Sequence, residues 1–169
     1  VKRRTLEDIK EFLRPSQVYR LITAKVWPYK GDVRHGKDLY EARDKALLSL
    51  LYLTCGRITE VLSLRKSQFV FDEDPDFIIV TNMIVVKRTK KQRKAPPIRA
   101  EVPLAREGPL AKFTELVEGY LRMLEGEDAR LFEFGRRRAW QIVKFITGKW
   151  CHFFRSQGES WYGKIYDVF

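Results

Sequence analysis

Asp44-Lys45-Ala46-Leu47-Leu48-Ser49-Leu50-Leu51-Tyr52-Leu53-Thr54-Cys55-Gly56-Arg57-Ile58-Thr59-Glu60-Val61-Leu62-Ser63-Leu64 is the stretch on which the fold turns. Its first half is almost wholly apolar and free of Gly and Pro, the pattern of a helix buried at the centre of a domain. The central helix is expected from about Asp38 to Thr54, with Gly56 stopping it. Arg57 follows at once, Glu60 stands one helical turn further on, and Val61, Leu62 and Leu64 return the chain to the core. A rigid element thus delivers a cation next to the core. Long charged side chains seldom sit there unless paired or functional, and Glu60 is placed to hold the Arg57 fork. Taken alone, Arg-x-x-Glu is also a common helical ion pair, so further signals are needed.

Working outward, Thr5-Leu6-Glu7-Asp8 reads as an N-cap, with Leu6, Ile9, Phe12 and Leu13 forming a helical stripe. Ser16 is a second cap, for a helix carrying Val18, Leu21 and Ile22 and ending before Pro28. Tyr29 to Lys37 is a polar loop. After the Arg57 helix the period changes from helical to alternating. Phe77-Ile78-Ile79-Val80 and Met83-Ile84-Val85-Val86 read as two strands joined by a tight turn at Thr81-Asn82, and Ile98 to Leu104 as a third. Gly108-Pro109 opens a helix with Leu110, Phe113, Leu116, Val117, Tyr120, Leu121 and Leu124 at helical spacing. Arg136-Arg137-Arg138 leads into the helix Ala139 to Ile146. A cationic first turn opposes the helix dipole, so these arginines point to an external anion. The fold class is α+β, mainly α: one helical domain over 1–169 with a small three-stranded antiparallel sheet.

Composition narrows the partners. With 169 residues the chain is long enough to bury a proper core, and 44% hydrophobic with 33% charged residues is a globular balance. A formal charge of +11 implies a polyanion, most simply nucleic acid. No apolar run has the length of a membrane span, and Val1-Lys2-Arg3-Arg4 is not followed by a signal-peptide core, so a cytoplasmic location is expected. Cys55 and Cys151 belong to no Cys-x-x-Cys pair and read as reduced, partly buried thiols. With only His35 and His152 besides, no metal or other cofactor is expected. An RNA-binding protein would want an aromatic stacking motif, and none is recognisable in the sequence.

Two further features carry chemistry. Lys87-Arg88-Thr89-Lys90-Lys91-Gln92-Arg93-Lys94 joins two strands. It reads either as a solvated turn or as an arm that follows a phosphate backbone and offers a lysine, a mobile charge able to give up a proton, to the reacting bond. The other is His152-x-x-Arg155, whose i, i+3 spacing puts imidazole and guanidinium on one side of a helix, able to grip one small anion. Trp150, Phe153 and Phe154 set that pair at the edge of a core.

In the order Arg57-x-x-Glu60, hairpin lysine, His152-x-x-Arg155, the sequence resembles the catalytic domain of the tyrosine recombinase, or phage integrase, family. The resemblance runs from about Leu39 to Arg155. Thr54-Cys55-Gly56-Arg57-Ile58-Thr59-Glu60-Val61 is similar to the family's Thr-Gly-x-Arg-x-x-Glu-Leu box, with Cys55 at the usual glycine. Arg88-Thr89-Lys90 resembles its lysine-bearing hairpin, favouring Lys90 with Lys87 second, and Trp150 to Arg155 looks like the second arginine box. The composition hints at an archaeal or viral source.

The resemblance implies site-specific cleavage and rejoining of double-stranded DNA through a 3′-phosphotyrosine link, as in integration or excision, with no metal or nucleotide. It implies that Arg57 and Arg155 clamp the phosphate oxygens, Lys90 protonates the leaving hydroxyl, His152 assists, and Glu60 orders the site. Lys87, Arg88, Lys91, Arg93, Lys94, Arg136, Arg137 and Arg138 become the DNA-contacting candidates, and a homo-tetramer on DNA is expected of the full-length protein. Type IB topoisomerases and telomere resolvases use similar chemistry but match His152-x-x-Arg155 less well.

The family's further His or Trp, and then its tyrosine, fall beyond Phe169 in this numbering. A catalytic domain truncated before its nucleophile, without the usual N-terminal DNA-binding domain, is therefore expected. Tyr162 and Tyr166 would share the face of Arg155 if one helix continued. Gly158 and Gly163 argue against that, giving these tyrosines a core or surface role. The competing class is a non-catalytic DNA-binding module or decayed recombinase, with the same basic surface and no use for the anion clamp.

Overall fold

The run Ala46 to Leu53 presents leucines on every side, and such a helix is stable in water only if other elements surround it. A computed structural model of the chain, describing residues 12–30, 34–85, 96 and 98–166, shows how this is met. In chain order the elements are helices α1 (Pro15–Thr23), α2 (Arg34–Leu53) and α3 (Ile58–Leu62), strands β1 (Phe69–Val70), β2 (Phe77–Val85) and β3 (Ile98–Ala105), and helices α4 (Ala111–Met123), α5 (Arg136–Thr147) and α6 (Cys151–Tyr166). Helix α2 packs against α1, α3, α4, α5 and α6. Ala46, Leu47, Leu48, Leu50, Leu51, Tyr52 and Leu53 are all buried in one core cluster with Phe113, Val117, Phe132, Val143 and Phe154. This is the mainly helical α+β architecture with one three-stranded antiparallel sheet that the residue pattern predicts.

Several boundaries differ from expectation, each for a local reason. The first predicted helix lies outside the described residues up to position 11, and Phe12 and Leu13 are not helical. Helix α1 opens on Pro15, not behind a Ser16 cap. Proline at the first helical position lacks only an N–H that would be unsatisfied anyway, and Gln17 Oε1 accepts the Arg14 N–H at 2.9 Å. Helix α2 begins at Arg34, inside the predicted loop. At its middle the Tyr29 hydroxyl donates to the buried Asp44 carboxylate. Arg43 reaches the same carboxylate from Nε at 3.2 Å and lies against the rings of Tyr40 and Phe134. Burial raises the Asp44 carboxyl above its ordinary value, opposed by the Tyr29 hydroxyl and by Arg43.

The sheet also has three strands by a different route. Phe77 to Val85 is one strand, and Thr81-Asn82 is an irregularity within it, not a turn between two. Val80 pairs with Val102 and Met83 with Ala100, so two residues of β2 oppose one of β3. Asn82 takes φ 53°, and the Gln68 side-chain amide donates to the carbonyls of Thr81 and Asn82 at 3.0 Å each. The missing strand is β1, where Phe69 pairs with Val80. A two-residue strand carries too little alternation to be seen in sequence.

Helix α6 is the largest departure. It runs unbroken through Gly158 and Gly163. Gly158 is where α6 crosses the end of α2: a Cβ there would overlap the Tyr52 carbonyl oxygen and lie 2.8 Å from Cys55 Sγ. The glycine is a close-approach residue, and the packing it permits outweighs its poor helix propensity.

Candidate active site

Three helix starts converge on one cavity. The end of α2 comes first: Thr54 Oγ1 donates to the Leu50 carbonyl at 2.6 Å, and Cys55 takes φ 52°. The left-handed residue is therefore Cys55, whereas Gly56 was expected to be the stop. Gly56 is small for a different reason, since a Cβ on it would lie 2.8 Å from Met83 Cε. The chain is turned so that Arg57 becomes the N-cap of α3, and the Arg57 backbone N–H donates to Glu60 Oε1 at 2.7 Å. Glu60, buried, thus fixes the backbone from which the Arg57 side chain springs.

Helix α5 begins behind Gly135 and carries Arg136 in its first turn and Trp140 one turn on. Helix α6 follows after Gly148 and Trp150 and presents Cys151, His152 and Arg155 in its first turns. Gly56, Arg57, Ile58, Arg136, Trp140, Trp150, Cys151, His152 and Arg155 line a single cavity of about 350 Å³. Arg155 is mostly buried, and its Nε donates to Glu159 Oε1 at 2.8 Å, which fixes the guanidinium plane. His152 is exposed at the rim. Among the described residues that line the cavity three are arginines and none is acidic. A group of that kind holds an anion, and planar forks suit the oxygens of a phosphate or its pentacoordinate transition state.

Arg57, His152 and Arg155, singled out separately from the sequence, are brought together here. Of the arginine triplet, Arg136 lines the cavity and Arg137 is exposed beside it. Arg138 turns the other way, lying 4.3 Å over the Trp27 ring. Glu60 sits behind the cavity and borders a neighbouring groove with Arg65, Gln68, Asn82 and Arg99. Lys87, Arg88, Lys90, Lys91, Arg93 and Lys94 lie outside the described residues; β2 and β3 close on the pair Val85 and Ile98.

The remaining nucleophile candidates are accounted for by their surroundings. Cys151 lines the cavity, but burial pushes its thiol up to about 11, so at neutral pH it is protonated. Burial, reinforced by Glu159, pushes Cys55 up to about 12. Among the described residues no tyrosine lines the cavity. The Tyr162 hydroxyl donates to the Leu53 carbonyl at 2.9 Å, tying α6 to the end of α2.

Two residues escaped the sequence reading. Trp140, read only as part of a helix, and Trp150, set at a core edge, are 52% and 49% exposed and form part of the cavity wall. The signal available for Trp140 was its spacing of one helical turn from Arg136. Among the described residues no helix is long and apolar enough to cross a membrane, and no group of three or more His, Cys, Asp or Glu could hold a metal ion. Compared with models of protein families, with curated proteins and with solved structures, the chain matches none.

Proposed function

We propose that this chain forms the body of the active site of a tyrosine-type site-specific DNA recombinase, working in the cytoplasm on double-stranded DNA. The observation that carries the reading is the convergence of Arg57, His152 and Arg155, from the starts of α3 and α6, on one cavity lined by no acid among the described residues.

In this reading a phosphodiester enters with its non-bridging oxygens toward Arg57 and Arg155, while Arg136 neutralises the flanking strand. A tyrosine hydroxyl supplied from outside residues 1–169, by the same protein or by a neighbouring copy, attacks phosphorus. The bond from phosphorus to the 5′ oxygen breaks, and Lys90 supplies that oxygen with a proton. His152 hydrogen-bonds the phosphoryl group as charge builds on it. Rejoining is the reverse, driven by the retained ester bond, so the reaction itself calls for no metal or nucleotide. The guanidiniums act by being already in place where charge develops. Strand exchange between two sites would take four copies.

The test is covalent trapping. The chain and its extension to the natural stop codon are incubated with a nicked suicide duplex library of randomised sequence, and protein–DNA adducts are sought by mass. An adduct that Arg57→Ala or Arg155→Ala abolishes, while duplex binding weakens only modestly, is the expected result. Adduct formation indifferent to both arginines would overturn the reading. The lack of any described tyrosine at the cavity favours a second reading, a DNA-binding module that has lost catalysis. It is selected by binding without an adduct in either form of the chain.

A further inference from the structure

Large aromatic side chains left half in water need a reason, because burying a tryptophan is among the most favourable single contributions to a core or interface. Trp140 and Trp150 are 52% and 49% exposed, yet both line the cavity that holds Arg57, Arg136 and Arg155. Trp150 meets Phe153 edge-on, with ring centroids 5.8 Å apart, so its indole is braced from the core side. Trp140 stands on α5 one turn from both Arg136 and Lys144.

The segment that carries both rings, Gly135 to Gly158, contains Arg136, Arg137, Arg138, Lys144, Lys149 and Arg155 and no Asp or Glu. An apolar protein partner would have to strip water from the exposed Arg136 and Arg137 while bringing no counter-charge, which is costly. A ligand that is itself a flat ring bearing a phosphate satisfies both features at once: the base stacks on indole and the phosphate meets guanidinium. A base inside a continuous duplex, however, has neighbouring base pairs on both faces and offers none to an indole. Only a base out of the stack has an open face.

We infer that Trp140 and Trp150 receive an unstacked base adjoining the phosphate held by the arginine cavity, so that the DNA taken by this site is a duplex opened at the bound nucleotide. The inference rests on the DNA-cleaving reading above and adds to it the class of substrate. It also makes the two tryptophans binding residues of the site.

The experiment compares four ligands by fluorescence anisotropy on the intact chain at fixed salt: a fully paired duplex, the same duplex with one unpaired adenine, that duplex with an abasic residue in place of the adenine, and dAMP by competition. The unpaired adenine is expected to tighten binding about 5- to 150-fold over the paired duplex, the range of one base stacking on an aromatic ring. The abasic residue is expected to remove that gain. Trp140→Ala and Trp150→Ala should each lose part of the preference while retaining binding to the paired duplex, and the Trp→Phe variants should keep most of it. Equal affinity for the paired, bulged and abasic duplexes, with salt-dependent binding intact, overturns this inference and leaves the DNA-cleaving reading standing. Binding of dAMP as tight as that of the bulged duplex overturns it in favour of a mononucleotide site. Failure to bind any duplex removes the inference together with the reading beneath it.

Discussion

Gly158→Ala probes the joint on which the site depends. In an exposed helix the change is favourable: alanine exceeds glycine by about 0.8–1.0 kcal/mol in helix propensity. Gly119, in α4, is such a position, with nothing within 4 Å of an added Cβ. Gly119→Ala is therefore expected to stabilise the protein by about 0.5–1 kcal/mol, chiefly by restricting the unfolded chain. At Gly158 the same methyl overlaps the Tyr52 carbonyl oxygen and lies 2.8 Å from Cys55 Sγ. Neither neighbour yields cheaply, because one is backbone at the end of the central helix and the other hangs from a residue at φ 52°. Overpacking of a core contact costs about 1–3 kcal/mol, and a backbone overlap belongs at the upper end.

Less the propensity gain, Gly158→Ala should destabilise by about 2 kcal/mol, a fall in Tm of about 4–8 °C for a chain of this size. Urea unfolding of both variants reads the two signs side by side. The local consequence is a displacement of α6 of roughly half an ångström or more, enough to shift His152 and Arg155 relative to Arg57 and weaken a clamp that depends on geometry. On the proposed recombinase reading, Gly158→Ala should thus lose duplex cleavage beyond what its stability loss explains, measured well below its Tm. A Gly158→Ala protein as stable as, or more stable than, the parent would refute the close-approach account of α6.

Binding to a fully paired duplex should weaken steeply with salt, and Arg57→Ala and Arg136→Ala should each reduce the log–log slope by about 1; a flat titration would sink the phosphate-contact reading. Tyr162→Phe removes the bond to the Leu53 carbonyl and should cost about 0.5–1.5 kcal/mol in urea unfolding while leaving covalent trapping unchanged, since its hydroxyl is committed to α2; loss of trapping would make Tyr162 the nucleophile. Burial holds the Cys151 and Cys55 thiols at about 11 and about 12 against 9.0 for an ordinary thiol. Alkylation of the native protein should accordingly keep rising up to pH 10 with no plateau above 9. The folded values lie above the unfolded one, so this contribution to stability is complete below pH 9 and is lost as pH rises through 11 to 12.

Much of the architecture was legible along the chain because it rests on local pattern. The leucine run of α2, the Val117-centred stripe of α4 and the helix behind Gly135 each state their class within a few turns. The basic candidates Arg57, His152 and Arg155 were legible too, since a cation beside an apolar run stands out wherever it occurs. What failed was reading glycine by propensity alone. At Gly158 and Gly56 the decisive fact is a neighbour distant in sequence, Tyr52 in one case and Met83 in the other. Strand β1 was missed because two residues hold no period, and it exists only through Val80 and Ile79.

By itself, then, the sequence determined a basic, mainly helical α+β chain with a buried central helix, and which of its cations stand next to apolar segments. Periodicity and charge are properties of neighbours along the chain, and they survive without a fold. Tertiary structure alone decided that the starts of α3, α5 and α6 meet, that Arg136 joins the cavity while Arg138 turns to Trp27, and that two half-exposed tryptophans share a cavity with three arginines. Those are consequences of how the helices pack on one another, as where Gly158 of α6 meets Tyr52 of α2, and that packing joins side chains far apart in sequence, which no local pattern records.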